Sequence, residues 1–314
     1  MKNVRIFKSY SLLLIAICLL PTVLVSCKEE TVDYQVNECK AQPAFVKKIG
    51  FNPNRSILST SEKRKMGVFL VELNENGDTT NGGRRFYQDS SWKSAGWLGP
   101  ILVDPKGNSF VGPVPVINLM DNPPAKQNII YKIDGNTGKM NIFMELPVKE
   151  NSSYANPYGL LGFSYLCETN TLYASTVHGS TLQKENGILY ALDPNERTVL
   201  DKLENIDVMG MGISYISGKR RLYFGSARNS NIYSIVLNEK GKFSEKPTLE
   251  CTIANLGPRG DDKARRIKFD KATGNMLIYG LEFNFNLTAP TEKQENNYSF
   301  KFNTEKQIWE TIIN

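Results

Sequence analysis

From about residue 45 onward the chain is built of short runs in which apolar and polar residues alternate with a period of two, the mark of strands with one buried face. Five runs share one form and end on Asp or Asn: Phe69-Val71-Leu73 before Asn74, Tyr131-Ile133 before Asp134, Ile188-Tyr190-Leu192 before Asp193, Tyr233-Ile235-Leu237 before Asn238, and Tyr298-Phe300-Phe302 before Asn303. An Asp or Asn there can accept hydrogen bonds from its own backbone two or three residues on, which turns the chain into the next strand. The turns that follow agree in chemistry: 75–78, 135–138, 194–196 and 239–241 are Gly-, Asn- and Pro-rich.

Each of these runs belongs to a larger unit. Upstream lies a short inner strand, centred on Phe51, Val103, Phe163, Tyr215 and Phe269 at gaps of 52, 60, 52 and 54 residues. A second strand follows at Ile57-Leu58-Ser59, Ser109-Phe110-Val111, 171–174, 221–224 and 276–279, and a fourth closes the unit at 85–87, 141–144, 198–200, 248–250 and 308–311. Four strands per repeat of roughly 50–60 residues is the grammar of an all-β propeller of four-stranded antiparallel blades. Five blades fit the chain, with six as the alternative. No amphipathic helical segment separates the strands, which excludes a parallel α/β fold.

Ahead of the repeats, Lys2, Arg5 and Lys8 precede an apolar run from Leu12 to Val25, too short to span a bilayer and of the form of a secretory signal. The predicted organisation is a signal over 1–26, a tether over 27–44 and the propeller over 45–314. Composition changes meaning once the signal is set aside. The whole chain carries 38 basic and 32 acidic residues, a formal +6; without Lys2, Arg5 and Lys8 the balance is 35 against 32, or +3. That near-neutral charge gives no reason to expect nucleic acid. A single histidine, His178, argues against histidine-based zinc or relay chemistry, and the role of a loop hydrogen-bonder rather than a base is expected of it. Cys39, Cys167 and Cys251 permit one disulfide in an oxidising compartment, or three buried thiols; the sequence leaves the choice and the pairing open.

Two resemblances extend this reading. Leu24-Val25-Ser26-Cys27 resembles a bacterial lipoprotein lipobox, which implies acylation at Cys27 with palmitate-type chains and an outer-membrane lipoprotein; an ordinary secreted chain is the alternative. The following Lys28-Glu29-Glu30 resembles a signal that sends lipoproteins to the cell surface, with the periplasmic face as the alternative. The unit running through 159–164, 171–175 and 187–193 resembles the NHL, SMP-30 and TolB-like propellers of bacterial lipoproteins. That resemblance implies the fold and little of the chemistry.

A propeller's default site is the channel mouth where the inner strands begin. Aligning the units places Lys47, Lys48, Lys263, Arg265 and Arg266 in neighbouring blades as one basic sector, with Trp97, Asn156, Tyr158 and Met209 around the rest of the rim. Guanidinium groups beside aromatic rings suit an anionic glycan or a protein partner, and the competing expectation is a solvated rim answered by Asp261 and Asp262. The expected function is thus a lipid-anchored, non-catalytic binding or scaffold module without a cofactor. The enzymatic alternative, implied by the SMP-30 resemblance, is a lactonase or hydrolase holding Ca²⁺ or another divalent ion on Asn156, Asp262 and Glu282; the matching Gly, Pro, Met and Lys positions of the other blades speak against it.

Overall fold

In the computed structural model the strand-ending Asp and Asn residues organise the turns as their chemistry requires. Asp134 Oδ1 accepts the backbone N–H groups of Asn136 and Thr137 at 2.9 and 2.8 Å. Asp193 and Asp270 do the same for residues two and three ahead, and Asn238 for Lys240 and Lys242. Four residues after three of these acids, Gly138, Arg197 and Gly274 have φ of 72°, 57° and 70° and donate back to the acid's carbonyl. The left-handed conformation is free for glycine and costs an L residue about 1–2 kcal/mol, so Arg197 holds it at a penalty that the turn's hydrogen bonds offset.

The structure describes residues 34–312 except 38, 61–64, 75–84, 115–119, 149–154 and 287–293. The predicted secretory signal, Cys27, the 28–30 patch and the turn at 75–78 lie outside the described residues. In chain order the elements are β1 (Tyr34–Val36), α1 (Ala44–Lys48), β2 (Ser56–Ser59), β3 (Phe69–Glu72), β4 (Arg85–Tyr87), β5 (Leu98–Val103), β6 (Ser109–Pro113), β7 (Ile129–Ile133), β8 (Met140–Glu145), β9 (Leu160–Leu166) and β10 (Thr171–Thr176). They continue with β11 (Ile188–Asp193), β12 (Thr198–Glu204), β13 (Val208–Ile216), β14 (Lys219–Ser226), β15 (Asn231–Val236), β16 (Thr248–Thr252), β17 (Lys263–Phe269), β18 (Met276–Leu281), β19 (Asn296–Asn303) and β20 (Ile308–Thr311).

These strands form five antiparallel sheets, the blades of a five-bladed β-propeller. Blades two, three and five (β5–β8, β9–β12 and β17–β20) have four strands each in meander order. Blade one corrects the predicted inner strand at Phe51: it has three strands, β2-β3-β4, and Phe51 follows the short helix α1 instead. The stretch is apolar enough for a strand, but Phe45, Val46 and Phe51 are drawn beneath blades one and two, where Phe45 packs edge-on to the fully buried Trp92. Blade four gains a strand, because β1 pairs with the end of β13 (Tyr34 opposite Ile216).

The core is a series of apolar layers between blades. Separate clusters join blades one to two, two to three, three to four and four to five. Among the described residues no such cluster joins five to one. The inner strands of blades three to five approach closely at glycines: a Cβ on Gly162 would lie 2.2 Å from the Met209 carbonyl oxygen, and one on Gly212 2.7 Å from that of Ile267. Below, the described part of 34–43 crosses the face where the inner strands end. Tyr34 donates to the Ala272 carbonyl of blade five at 2.5 Å, β1 pairs with blade four, Cys39 is bonded to Cys167 of blade three, and Ala41 N–H donates to Asp104 O of blade two. The strap therefore touches four blades before the chain enters the first. Among the described residues Cys251 is the free cysteine, its thiol pushed up to about 12 by burial and by Glu250.

Candidate functional site: the upper channel mouth

The inner strands β5, β9, β13 and β17 all start at the upper face, and the segments that lead into them form its mouth. In blade three the chain turns into β9 at Asn156. This amide is 3% exposed and fully employed: Nδ2 donates to the carbonyls of Val177 and Ser180 at 2.8 and 2.9 Å, and Oδ1 accepts from Tyr158 N–H at 3.0 Å. Tyr158 then packs edge-on against Phe283, centroids 5.1 Å apart, and burial raises its pKa. Phe283 and Phe285, from the segment after β18 of blade five, join Met209, Val177 and Ala227 in one apolar cluster. Aromatic side chains from blade five thus reach over the mouth to blades three and four. Met209, a predicted rim residue, is buried in this cluster.

Two buried carboxylates stand immediately ahead of inner strands. Asp207, before β13, accepts from Ser180 Oγ, from Gly187 N–H at 3.0 Å and from Arg228 Nη1 at 2.8 Å. Its side chain is fully buried, and burial raises its pKa despite the hydrogen bonds and the charge of Arg228. Asp262, before β17, is equally buried, yet its pKa is lowered. Burial alone would raise it, but Arg259 pairs with both oxygens at 2.5 and 3.0 Å, and Tyr298 and Asn296 donate at 2.7 and 2.8 Å. Both acids hold the segments above their blades in place. With Asp262 committed to a guanidinium and Asn156 to carbonyls, these groups do not fit the oxygen ligands of a divalent cation. The hydrogen bond and charge of Asp262 raise the pKa of Arg259, and the charge of Glu282 adds to this in the same direction. Among the described residues no group of three or more His, Cys, Asp or Glu could hold a metal ion.

The basic residues separate into two places. Lys47 and Lys48 lie on α1 at the lower face, where Lys48 Nζ donates to the Asn136 carbonyl at 3.0 Å. Lys263, Arg265 and Arg266 stand at the upper start of β17. Lys263 is 9% exposed and donates to the Asp261 carbonyl. Arg265 and Arg266 share Glu295, with Nη1 of Arg265 at 3.1 Å, and each side chain stays about half exposed, at 47% and 49%. Arg266 stacks 4.5 Å over Tyr279, its cross-strand partner, and Lys268 lies 5.3 Å from the same ring. Burial, then Arg266 and Lys40, lower the pKa of Lys268. These cations mark the face of blade five turned away from blade four, where Ile267, Phe269 and Ile278 are buried.

Trp97 is half-buried and its backbone is pinned by Asn122, which accepts from its N–H at 2.7 Å and donates to its carbonyl at 3.0 Å. His178 is buried, its Nδ1 2.8 Å from Asn128 Nδ2. Sequence reasoning missed Asp207, Arg228, Phe283 and Phe285. An Asp directly before the inner strand recurs in units four and five, so the aligned repeats held that signal. The reach of Phe283 and Phe285 across the mouth had none, because it joins blades distant in sequence.

No family model and no curated protein matches the chain. Among solved structures it is similar to Bacteroides ovatus xyloglucan PUL GH43B (13% identity, TM-score 0.39, 66% of this chain), of whose length it spans 39%. It is also similar to a luciferin-regenerating enzyme (10% identity, TM-score 0.44, 77% of this chain and 76% of that one) and to a glucose dehydrogenase (12% identity, TM-score 0.41, 75% and 78%). Likeness at this level carries no argument about activity.

Proposed function

We propose that the protein is a lipid-anchored, non-catalytic binding propeller, attached to the outer membrane through Cys27 and displayed at the cell surface, whose partner is an anionic glycan. One observation carries the reading. The acids, amides and histidine around the upper mouth are spent on internal bonds, whereas Arg265 and Arg266 share a single carboxylate and stay half exposed. That surplus of planar donors is suited to carboxylates, which guanidinium groups bind in pairs. Lys268 extends the cationic strip along β17.

The test is calorimetric titration with oligogalacturonate, alongside thermal unfolding with Ca²⁺ and with a chelator. Binding that weakens about tenfold or more in R265A/R266A, with a melting point indifferent to metal and chelator, is the expected outcome. Stabilisation by Ca²⁺ that disappears in the Asn156→Ala variant would instead favour the hydrolase. Absence of oligosaccharide binding would remove the glycan from the proposal.

A further inference from the structure

The upstream end of the strap sits at one face of the propeller only. Tyr34 packs against Gly274 and bonds Ala272 in the turn that follows β17, and β1 pairs with the last residues of β13. The chain before Tyr34 therefore leaves from the lower face, between blades four and five. Tyr34 lies seven positions after Cys27. Whatever their conformation, seven residues span at most ~25 Å. The nine-residue β13 is itself roughly 30 Å tall, and a four-strand blade adds about 15 Å or more of radius to go around. An anchor at Cys27 has too little chain to bring the upper mouth to the lipid.

The lower face has chemistry to match that geometry. Exposed Lys40, Lys47, Lys106, Lys219, Lys240 and Lys271 stand on the strap, on α1 and in the turns at the ends of inner and third strands. Among the described residues acids on the same face are fewer: Glu196, Glu239, Glu245 and Glu305 are exposed, and Glu168 is paired with Arg220. Asp104, Asp134, Asp193 and Asp270 are turned back on their own turns.

We infer that this strap face is a membrane-docking surface, its lysines resting on the phosphates of anionic lipid headgroups and the upper mouth pointing away from the bilayer. The inference rests on the proposed lipidation of Cys27. It adds that the binding surface of blade five is presented away from the lipid.

The experiment is lysine-reactivity footprinting by mass spectrometry on the full lipidated protein in vesicles of phosphatidylcholine and phosphatidylglycerol, compared with the soluble C27S chain. Lys40, Lys106, Lys240 and Lys271 are expected to lose reactivity at least severalfold on the vesicles, while Lys126 on the upper face keeps its own. In the C27S chain, a K106E/K240E/K271E variant is expected to cosediment with the same vesicles at least tenfold more weakly, since each lysine near an anionic surface contributes severalfold. Uniform reactivity, or protection of Lys126, with lipid present on the N-terminal peptide overturns the orientation alone. An N-terminal peptide without lipid overturns the anchor and the orientation together.

Discussion

Asp262 shows how one residue's surroundings decide its chemistry. A carboxylate ahead of an inner strand has the composition of a metal ligand, yet Arg259, Tyr298 and Asn296 satisfy it inside the protein. Its lowered pKa means that its stabilising contribution is present above the unfolded value near 4 and is lost as pH falls through the folded one. Arg259→Met leaves a buried carboxylate without a counter-charge, and burial then raises that pKa. The variant is expected to lose about 3 kcal/mol at pH 7. The deficit shrinks towards pH 4 as Asp262 takes up its proton. Urea unfolding at the two pH values checks this, and a pH-independent deficit contradicts it.

At the scale of elements, the strap and its disulfide do work that the sheets leave undone. The Cys39–Cys167 bond closes a separation of 128 residues and ties the strap to the turn after β9. Cys39→Ala/Cys167→Ala is expected to lower stability by about 2–4 kcal/mol, read as the shift in denaturant midpoint at unchanged slope. Wild-type protein under reductant should behave in the same way, whereas Cys251→Ala should not reproduce the loss. The strands were legible in the sequence because alternation and Asx turns are local: Asp134, Asp193, Asn238 and Asp270 close the turns their positions suggest. Phe51 was not legible as part of a turn, since its neighbours' apolar pattern suits a strand equally well. Burial beside Trp92 and blade two, a long-range effect, settles the matter.

For the whole molecule, the five blades are unequal. Blades three and four are sealed on both faces by apolar clusters, whereas blade one has three strands and no apolar cluster linking it to blade five among the described residues. Local opening follows buried apolar contact. Native-state hydrogen exchange is therefore expected to show β2–β4 opening at lower free energy than β9–β15, and equal protection of the two regions would argue for a tighter closure of the ring. The same asymmetry leaves the Arg266 and Lys268 face of blade five in solvent, which is why its inner strand alternates basic and apolar residues while β9 and β13 carry no charged residue.

By itself the sequence determined the all-β class, the five-fold repeat and the positions of nearly all strands, because period-two burial and turn closure depend on residues a few positions apart. It also determined that the charge outside the basic segment at residues 1–26 is small. Only the tertiary structure decided which cations meet and which cysteines pair. It sent Lys47 and Lys48 to the lower face, left Arg265 and Arg266 at the upper one, and joined Cys39 to Cys167. Those outcomes depend on how blades distant in sequence are brought together around the axis, and no local pattern records that.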